Sequence, residues 1–258
     1  MSEEMQRRFF DDLAHRYDSR FCRARWPRNQ DLKTTVILDV LGPAAERGPI
    51  VELSCGTAQI AERMLELRPE LGYVGLDLSA PMLEIARTRI RRFGSRIDLR
   101  EVSGGSLPLE ADGFAGGFGV DVLHHIDDPP AVLRELRQAL RPGSPLVFLE
   151  PNPRFPVTLA LGLLQKAERN VLKIGFSNLE RWLRAGGFED VRVTYGPLYT
   201  PPGPPRLVPT LERFDRSLAR VPGPGPGDLL HSASAHSGGL KAHGARSAPP
   251  VSGHRRYP

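Results

Sequence analysis

The sequence of 258 residues predicts an α/β fold with a mostly parallel sheet and helices on both of its faces. Two strand–turn–helix units carry this prediction. In the first, the apolar run 50–53 leads through small residues into 59–67, where apolar side chains recur at helical spacing. In the second, the run 72–76 ends in Asp77 and precedes another helical pattern. Strands that alternate with helices are typical of a parallel sheet.

The turn at residues 54–58 has the properties of a ligand site. Small residues let a ligand approach the main chain closely, and the N–H groups that open the next helix point towards it. Asp77 follows about twenty residues later, where a carboxylate accepts hydrogen bonds from ribose hydroxyls in a βαβ nucleotide site. From the turn alone, a plain strand–helix connection without a ligand is the alternative. Glu52, inside the first strand, needs a partner, which we expect at the mouth of the turn.

Four blocks of the chain match a known family in order and spacing, between residues 30 and 196. They are Val51-Glu-Leu-Ser-Cys-Gly-Thr-Ala, Gly75-Leu-Asp-Leu-Ser-Ala-Pro-Met-Leu, Val122-Leu-His-His-Ile-Asp-Asp-Pro and Leu140-Arg-Pro-Gly. In these blocks the chain closely resembles the class I S-adenosylmethionine (SAM)-dependent methyltransferases. The resemblance implies SAM as cofactor and a Rossmann-like, mostly parallel sheet of seven strands, or of six without the closing strand.

The resemblance also implies a cofactor site. Glu52, Gly56 and Asp77 match the family pattern directly and would lie beside the methionine moiety and on the ribose. Ser54 and Ala58 stand where glycines are usual. We expect Ala58 to be tolerated at a helix start, whereas Ser54 is strained if its φ is positive. The predicted cofactor-binding residues are Tyr17, Glu52, Ser54, Cys55, Gly56, Ala58, Asp77, Leu78, Met82, Ser103, Gly104 and Asp121.

Other positions depart from the family. Ser103 stands where an Asp usually accepts from the adenine amino group, and a neutral hydroxyl should bind it more weakly. Ala115 replaces an Asp at the start of the fourth strand, which Gly116, Gly117 and Gly119 leave poor in side chains. These departures keep open an alternative function, a methyltransferase-like non-catalytic binding or regulatory subunit. A dehydrogenase-type domain is disfavoured because the glycine spacing is wrong and no hydride-transfer constellation follows.

His124 and His125 are the candidate catalytic residues. They follow the fourth strand, at the edge where open α/β sheets place ligands. Methyl transfer needs a positioned nucleophile and removal of its proton, which a histidine can perform. Adjacent side chains that leave a strand diverge, so we expect one to enter the pocket and favour His124; the alternative is that either only binds neighbouring backbone. No metal-ligand constellation is visible, so no metal is expected.

Three parts of the chain are expected. Residues 1–29 form an amphipathic helix that ends near Pro27 and, in the resembling enzymes, is a lid over cofactor and substrate. Residues 30–221 form the methyltransferase domain, with a substrate-covering insert near 153–176. Residues 222–258, rich in Gly, Pro, Ser, Ala and His, are expected to be disordered because they cannot bury enough apolar surface.

Local patterns add three expectations. A second helix is expected over 31–41, before the first strand of the sheet. Ser177 and Glu180 have the spacing of a capping box and predict a helix that begins at Ser177 and ends at Ala185. The family would place its closing strand near 228–235, whose composition is a poor candidate for one.

Composition limits the function classes. The formal net charge is +5, but from Asp228 onwards four basic residues outweigh one acidic residue, so this segment carries +3 and the rest of the chain +2. No polyanion-binding face and no nucleic-acid partner are therefore expected. No apolar run reaches bilayer length and the start is acidic, which predicts a cytoplasmic protein without a transmembrane segment. Two cysteines, Cys22 and Cys55, imply neither a disulfide framework nor a metal cluster.

Together these observations predict a SAM-dependent methyltransferase that acts on a small molecule, with O-methylation favoured over N- or C-methylation. The apolar segment 155–174 and the proline-rich run 197–209 indicate a hydrophobic or lipid-linked acceptor. The sequence predicts no oligomeric state.

Overall fold

Five parallel strands form the centre of the fold in the order β3-β2-β1-β4-β5. The computed structural model describes residues 3–21, 26–103, 106–151, 162–164, 166–196 and 230–237. The strands are β1 (Ile50–Leu53), β2 (Tyr73–Asp77), β3 (Ile97–Glu101), β4 (Gly116–Val120) and β5 (Pro145–Pro151). The chain reverses its direction across the sheet between β1 and β4, and ligands bind at the carboxyl ends of strands at such a point. The predicted α/β, Rossmann-like, mostly parallel fold is confirmed.

Helices cover both faces of this sheet. They are α1 (Glu3–Phe21), α2 (Trp26–Leu41), α3 (Ala44–Arg47), α4 (Gln59–Leu67), α5 (Ala80–Ile90), α6 (Pro129–Ala139) and α7 (Phe176–Ala185). One apolar cluster joins α2, α4 and α5 to one face, with Ile37 and Met64 fully buried. The other joins α6 and α7 to the opposite face through Leu133 and Leu183. Among the described helices, none combines the length and apolar character that crossing a membrane requires.

The direction of α2 brings its first half to the carboxyl edge of the sheet. At its end, Leu41 lies against the amino end of β4, where a Cβ on Gly116 would be 2.9 Å from Leu41 Cδ2. Two turns earlier, Lys33 Nζ lies 2.7 Å from the carboxylate of Asp121, which follows the carboxyl end of β4. α2 therefore runs antiparallel to the strands, and its amino-terminal half borders the ligand-binding edge.

The glycines of β4 make room for large neighbours. A Cβ on Gly119 would lie 2.6 Å from a ring carbon of Phe148 on β5, and one on Gly116 would meet Leu41. The expectation that this strand is poorly packed is wrong, because side chains from β5 and α2 fill the space that the glycines leave.

The boundaries of the first two helices differ from the prediction. α1 ends at Phe21 rather than near Pro27, and α2 begins at Trp26 rather than at residue 31. Proline is favoured in the first turn of a helix, where its missing N–H would have no intrahelical partner. Pro27 therefore belongs to the beginning of the second helix.

The predicted capping box before α7 is wrong. The helix starts at Phe176, its N-cap is Gly175, and no side-chain cap hydrogen bond is present there. The N–H groups of Asn178 and Leu179 both donate to the Gly175 carbonyl, 3.0 Å away in each case. This pairing begins the helix ahead of Ser177, so the serine lies inside the first turn and not at its cap.

Residues 230–237 differ from the predicted disordered tail. They form β7 (Leu230–Ser237), antiparallel to β5 on one side and to β6 (Phe188–Gly196) on the other. Ala233, for example, is paired with Phe148 and with Val193. Pairing of main-chain groups on both sides does not require apolar side chains, which is why composition gave no sign of it. The rest of the tail and the proline-rich run lie outside the described residues.

Candidate active site

Three residues of the turn between β1 and α4 adopt the left-handed backbone conformation. The φ angle is +58° at Ser54, +52° at Gly56 and +59° at Ala58. Glycine adopts it freely, whereas a side chain costs roughly 1–2 kcal/mol. Ser54 therefore meets the condition under which strain was expected. The expectation for Ala58 is wrong, because it is the N-cap of α4, without a side-chain cap, and not an ordinary helical position.

Asp77, at the end of β2, closes this turn. Its Oδ2 accepts the N–H of Gly56 at 2.7 Å, and its Oδ1 accepts the N–H of Ser79 at 2.9 Å. Burial raises the pKa of the Asp77 carboxyl, and the bonds from Ser79 and Gly56 oppose that rise. Because a carboxylate has about four acceptor positions, Asp77 can bind a ligand hydroxyl as well. The predicted pairing of this strand end with the turn is thus present.

Glu52 lies beneath the turn and is 3% exposed. The Tyr73 hydroxyl, on β2, donates a hydrogen bond of 2.5 Å to Glu52 Oε2. Its partner therefore lies inside the sheet, and the expectation of a partner at the mouth of the turn is wrong. Burial raises the pKa of Glu52 to about 8, the hydrogen bond from Tyr73 lowers it, and Asp77 raises it. Burial also raises the pKa of the neighbouring Cys55 thiol, which is free.

We expect the free energy of unfolding to fall between pH 4.5 and 8 because of Glu52. Its pKa is 4.5 without burial and about 8 in the fold. Between these values the unfolded chain loses the proton first, so folding is favoured below pH 4.5, weakens by up to about 1.4 kcal/mol per pH unit, and levels off above pH 8. Urea unfolding of wild type and Glu52→Gln across this range measures it. Glu84→Gln, an exposed carboxylate on α5, is the control, and parallel curves for wild type and Glu52→Gln would contradict the prediction.

The first half of α1 lies across the carboxyl ends of β2 and β3. Asp11 Oδ1 accepts the Ser79 hydroxyl at 2.6 Å. Arg7 donates to the carbonyls of Leu78, at 2.6 Å, and Val102, at 2.9 Å. α1 therefore binds main-chain groups that directly follow both strands, next to Asp77.

The second half of α1 is tied to the turn itself. Asp18 accepts the Thr57 hydroxyl at 2.8 Å, and it also pairs with Gln59 and with Arg89 of α5. Arg89 in turn donates to the Thr57 carbonyl at 2.7 Å. Tyr17, a predicted cofactor contact, precedes Asp18 on this helix and is half-buried.

A buried polar face on α2 borders the turn from the other side. Gln30, Lys33 and Thr34 are 8%, 6% and 0% exposed. Lys33 pairs with Asp121, whose φ is +53°, and Gln30 Nε2 donates to Gln59 Oε1 at 2.9 Å. Gln30 Oε1 and Thr34 Oγ1 are buried without a hydrogen-bond partner among the described residues. Sequence reasoning found Asp121 but missed this face, although three polar residues at helical spacing before the apolar Ile37 were a usable signal.

His124 is held by a carboxylate that the sequence analysis missed. Its Nδ1 lies 2.8 Å from Glu150 Oε2, and both side chains are buried. Glu150 Oε1 accepts the N–H groups of Val122 and Leu123, at 2.9 and 2.7 Å. A carboxylate only accepts, so this bond keeps the proton on Nδ1 and makes Nε2 the basic nitrogen. A charged residue that ends the apolar run of β5 was the available signal for Glu150.

The two histidines have different surroundings. His125 is half-buried beneath α1: its ring meets Phe10 edge-on with centroids 5.3 Å apart, and its carbonyl accepts from Gln6. His124 instead lines a cavity of about 190 Å³, together with Lys173 and Trp182. This arrangement agrees with divergent side chains, and the catalytic role of either histidine stays a prediction.

The remaining predicted residues are spread around the turn. Met82 is buried on α5, and its N–H donates to Ser79 Oγ at 3.3 Å. Ser103 follows β3 and forms an isolated bridge with Ser106. Gly104 lies outside the described residues. Within the described part of the chain, no group of three or more His, Cys, Asp or Glu side chains is placed to hold a metal ion.

Comparison with known proteins places these motifs in a family. Residues 50–143 match the family described as a methyltransferase domain. A ubiquinone/menaquinone biosynthesis C-methyltransferase of Desulfotalea psychrophila is 32% identical over 147 residues, which are 57% of this chain and 58% of that protein. A ubiquinone biosynthesis O-methyltransferase of Xanthomonas axonopodis is 30% identical over 172 residues, 62% of this chain and 70% of the relative.

The fold has relatives among solved structures. Phosphoethanolamine N-methyltransferase 2 of Haemonchus contortus, in complex with phosphomonomethylethanolamine and S-adenosylhomocysteine, superimposes with a TM-score of 0.63 at 17% identity. The likeness covers 91% of this chain and 61% of that one, and at this identity it shows the fold alone. The family match includes the turn and Asp77, and the sequence similarity extends over 70% of the Xanthomonas relative. The chain belongs to the class I SAM-dependent methyltransferases, enzymes whose cofactor is S-adenosylmethionine.

Proposed function

We propose that this protein transfers a methyl group from SAM to a small-molecule acceptor, with O-methylation favoured. The observation that carries the proposal is the β1–α4 turn, whose Gly56 N–H is held by the buried Asp77 carboxylate. Bound SAM supplies a methyl group on a positively charged sulfur, which is already activated for transfer. The names of the relatives, O- and C-methyltransferases of ubiquinone biosynthesis, support a hydrophobic or lipid-linked acceptor.

The residues around the turn fit such a cofactor. Asp77 would accept from the ribose, and the open space around Gly56, where a Cβ would meet no atom within 4 Å, permits close approach. Buried Gln30 and Thr34 each keep a polar atom without a partner among the described residues, as expected where a polar ligand binds. The other predicted contacts would line the site: Tyr17, Glu52, Ser54, Cys55, Ala58, Leu78, Met82, Ser103, Gly104 and Asp121.

His124 is the proposed base. Glu150 holds the proton on Nδ1, so Nε2 can accept the proton of an acceptor hydroxyl as its oxygen becomes nucleophilic. The cavity beside His124 is lined by Lys173 and Asn170, from the 3₁₀ segment Lys166–Lys173. This position supports the assignment of residues 153–176 as a substrate-covering insert.

We assign α1 as the lid over the site. Its hydrogen bonds reach Ser79, Leu78 and Thr57, the residues that follow β2 and β1. A ligand that binds at these strand ends would therefore lie under α1, and the helix would release some of these bonds on opening. This supports the assignment of residues 1–29 as a lid separate from the domain 30–221.

We also propose that β6 and β7 complete a sheet of seven strands in solution. The two-sided pairing of Leu230–Ser237 supports this count. Amides of these residues are expected to exchange with deuterium slowly, as those of β5 do, because ladder hydrogen bonds protect them. Residues 238–258 are predicted to exchange fast and serve as the internal control. Equally fast exchange over 230–237 would return the sheet to six strands and the tail to disorder.

Calorimetry with S-adenosylhomocysteine tests the proposed cofactor, with ATP as the control nucleotide that lacks an amino-acid end. Incubation with methyl-labelled SAM and fractionated small-molecule extracts then tests transfer. A chain that binds neither SAM nor its product would contradict the proposal. The strained Ser54 and Ala58 favour one alternative, a non-catalytic binding or regulatory subunit. That alternative predicts weak cofactor binding and no labelled product from any fraction.

A further inference from the structure

The polar face of α2 is unusual for a core helix. Gln30, Lys33 and Thr34 share one side of the helix, and the same side continues as Ile37 and Leu41, which pack in the apolar cluster. Burial of an ammonium group, an amide and a hydroxyl costs free energy unless each has partners. Two of the atoms, Gln30 Oε1 and Thr34 Oγ1, have none among the described residues. The helix therefore keeps buried hydrogen-bonding groups that the fold itself does not use.

The position of this face is specific. Lys33 reaches Asp121 after β4, and Gln30 reaches Gln59, the first residue of α4. β1 and β4 are the strands between which the sheet order reverses, so the face borders the crevice where α/β sheets bind ligands. Its unused groups lie next to the turn that holds Gly56.

The charges of the face define its ligand. Lys33 is a cation and Asp121 an anion, Thr34 can donate, and Gln30 Oε1 can accept. A phosphate would leave Asp121 facing a like charge, and a simple cation would leave Lys33 in the same situation. A group with one carboxylate and one ammonium matches every member and leaves the net charge of the cluster unchanged. The α-amino-acid end of the cofactor has this composition.

We infer that the Lys33–Asp121 ion pair opens to accept the amino-acid end of the cofactor, with Lys33 and Thr34 on the carboxylate and Asp121 and Gln30 on the ammonium group. The inference rests on the proposed function, since it concerns the same cofactor. One ion pair is exchanged for two, so the charges stay paired. The Asp121 side chain is 40% exposed and free to turn, whereas that of Lys33 is 8% exposed.

Two ligands that differ only in this end test the inference by calorimetry. S-adenosylhomocysteine carries the amino acid, and 5′-methylthioadenosine has the same nucleoside and thioether without it. Lys33→Met should raise the Kd for S-adenosylhomocysteine by about 10- to 100-fold, as expected for a lost bond to a charged group. The Kd for methylthioadenosine should stay within about twofold. Arg181→Met, which removes an exposed cation from α7, is the control.

Thr34→Val separates binding from folding. Removal of a buried hydroxyl that has no partner should leave thermal stability unchanged or raised, while S-adenosylhomocysteine binds several-fold more weakly. A purely structural role would lower stability and affect both ligands alike, which would overturn the inference. It would also be overturned if both variants bound S-adenosylhomocysteine as wild type does, although the proposed function would then stand. Failure of the wild-type chain to bind either ligand would contradict the proposed function itself.

Discussion

Replacement of His124 by alanine is expected to lower turnover by about 10²- to 10⁴-fold, the usual contribution of a positioned base. The affinity for S-adenosylhomocysteine should hardly change, because the described contacts of His124 are Glu150 and the cavity on its side of the sheet. The measurement is single-turnover transfer from labelled SAM at saturating cofactor, across a pH series, with the acceptor found by the extract screen.

Glu150→Gln provides a sharper version of this experiment. The carboxamide keeps the shape of the side chain and one oxygen for the Val122 and Leu123 N–H groups. Its NH₂ group would then face His124 Nδ1, which must accept, so the proton moves to Nε2 and the ring can no longer take a proton there. Turnover should fall as in His124→Ala although the imidazole is still present.

His125→Ala distinguishes the two histidines. Its ring packs against Phe10 of α1, so its loss should loosen the lid and change the Michaelis constant more than the rate of transfer. A loss of turnover in His125→Ala with near wild-type turnover in His124→Ala would assign the base to His125. Near wild-type turnover in both variants would leave proton removal to another group.

The parts of the fold that sequence predicted have local signals. β1, α4, β2 and α5 each show their own periodicity, and the spacing from the turn to Asp77 fixes the contact with Gly56 because two parallel neighbouring strands end at one edge. Ser79 caps α5 as its position before Pro81 indicates. Contacts of this kind depend on short stretches of chain whose conformation the residues themselves determine.

The parts that sequence missed depend on packing between distant segments. Lys33 and Asp121 are 88 residues apart, and Asp18 and Arg89 are 71 apart. No local pattern indicates either pair, because the direction of α2 and the docking of α1 decide them. Ala58 is a different case: its composition suits a helix, but the bonds between Asp77 and the turn set the backbone there, and this imposes a positive φ.

Asp77→Ala should weaken binding of S-adenosylhomocysteine by about 1.5–3 kcal/mol, or roughly 10- to 150-fold, because hydrogen bonds to a charged group are lost. The variant also leaves the Gly56 and Ser79 N–H groups without their acceptor, so some loss of stability should accompany it. Asp77→Asn separates the two effects: its amide oxygen can still accept one of these N–H groups, but the charge is gone.

Calorimetry of both variants, with thermal unfolding in parallel, tests this second prediction. Asp98→Ala, which removes an exposed carboxylate from the neighbouring strand β3, is the control and should bind as wild type does. If Asp77→Asn folds normally and still binds S-adenosylhomocysteine with unchanged affinity, the Asp77 carboxylate only shapes the turn. Weaker binding in a stable Asp77→Asn variant would instead mean that the carboxylate contacts the cofactor, since the turn would then be intact and only the ligand would have lost a partner.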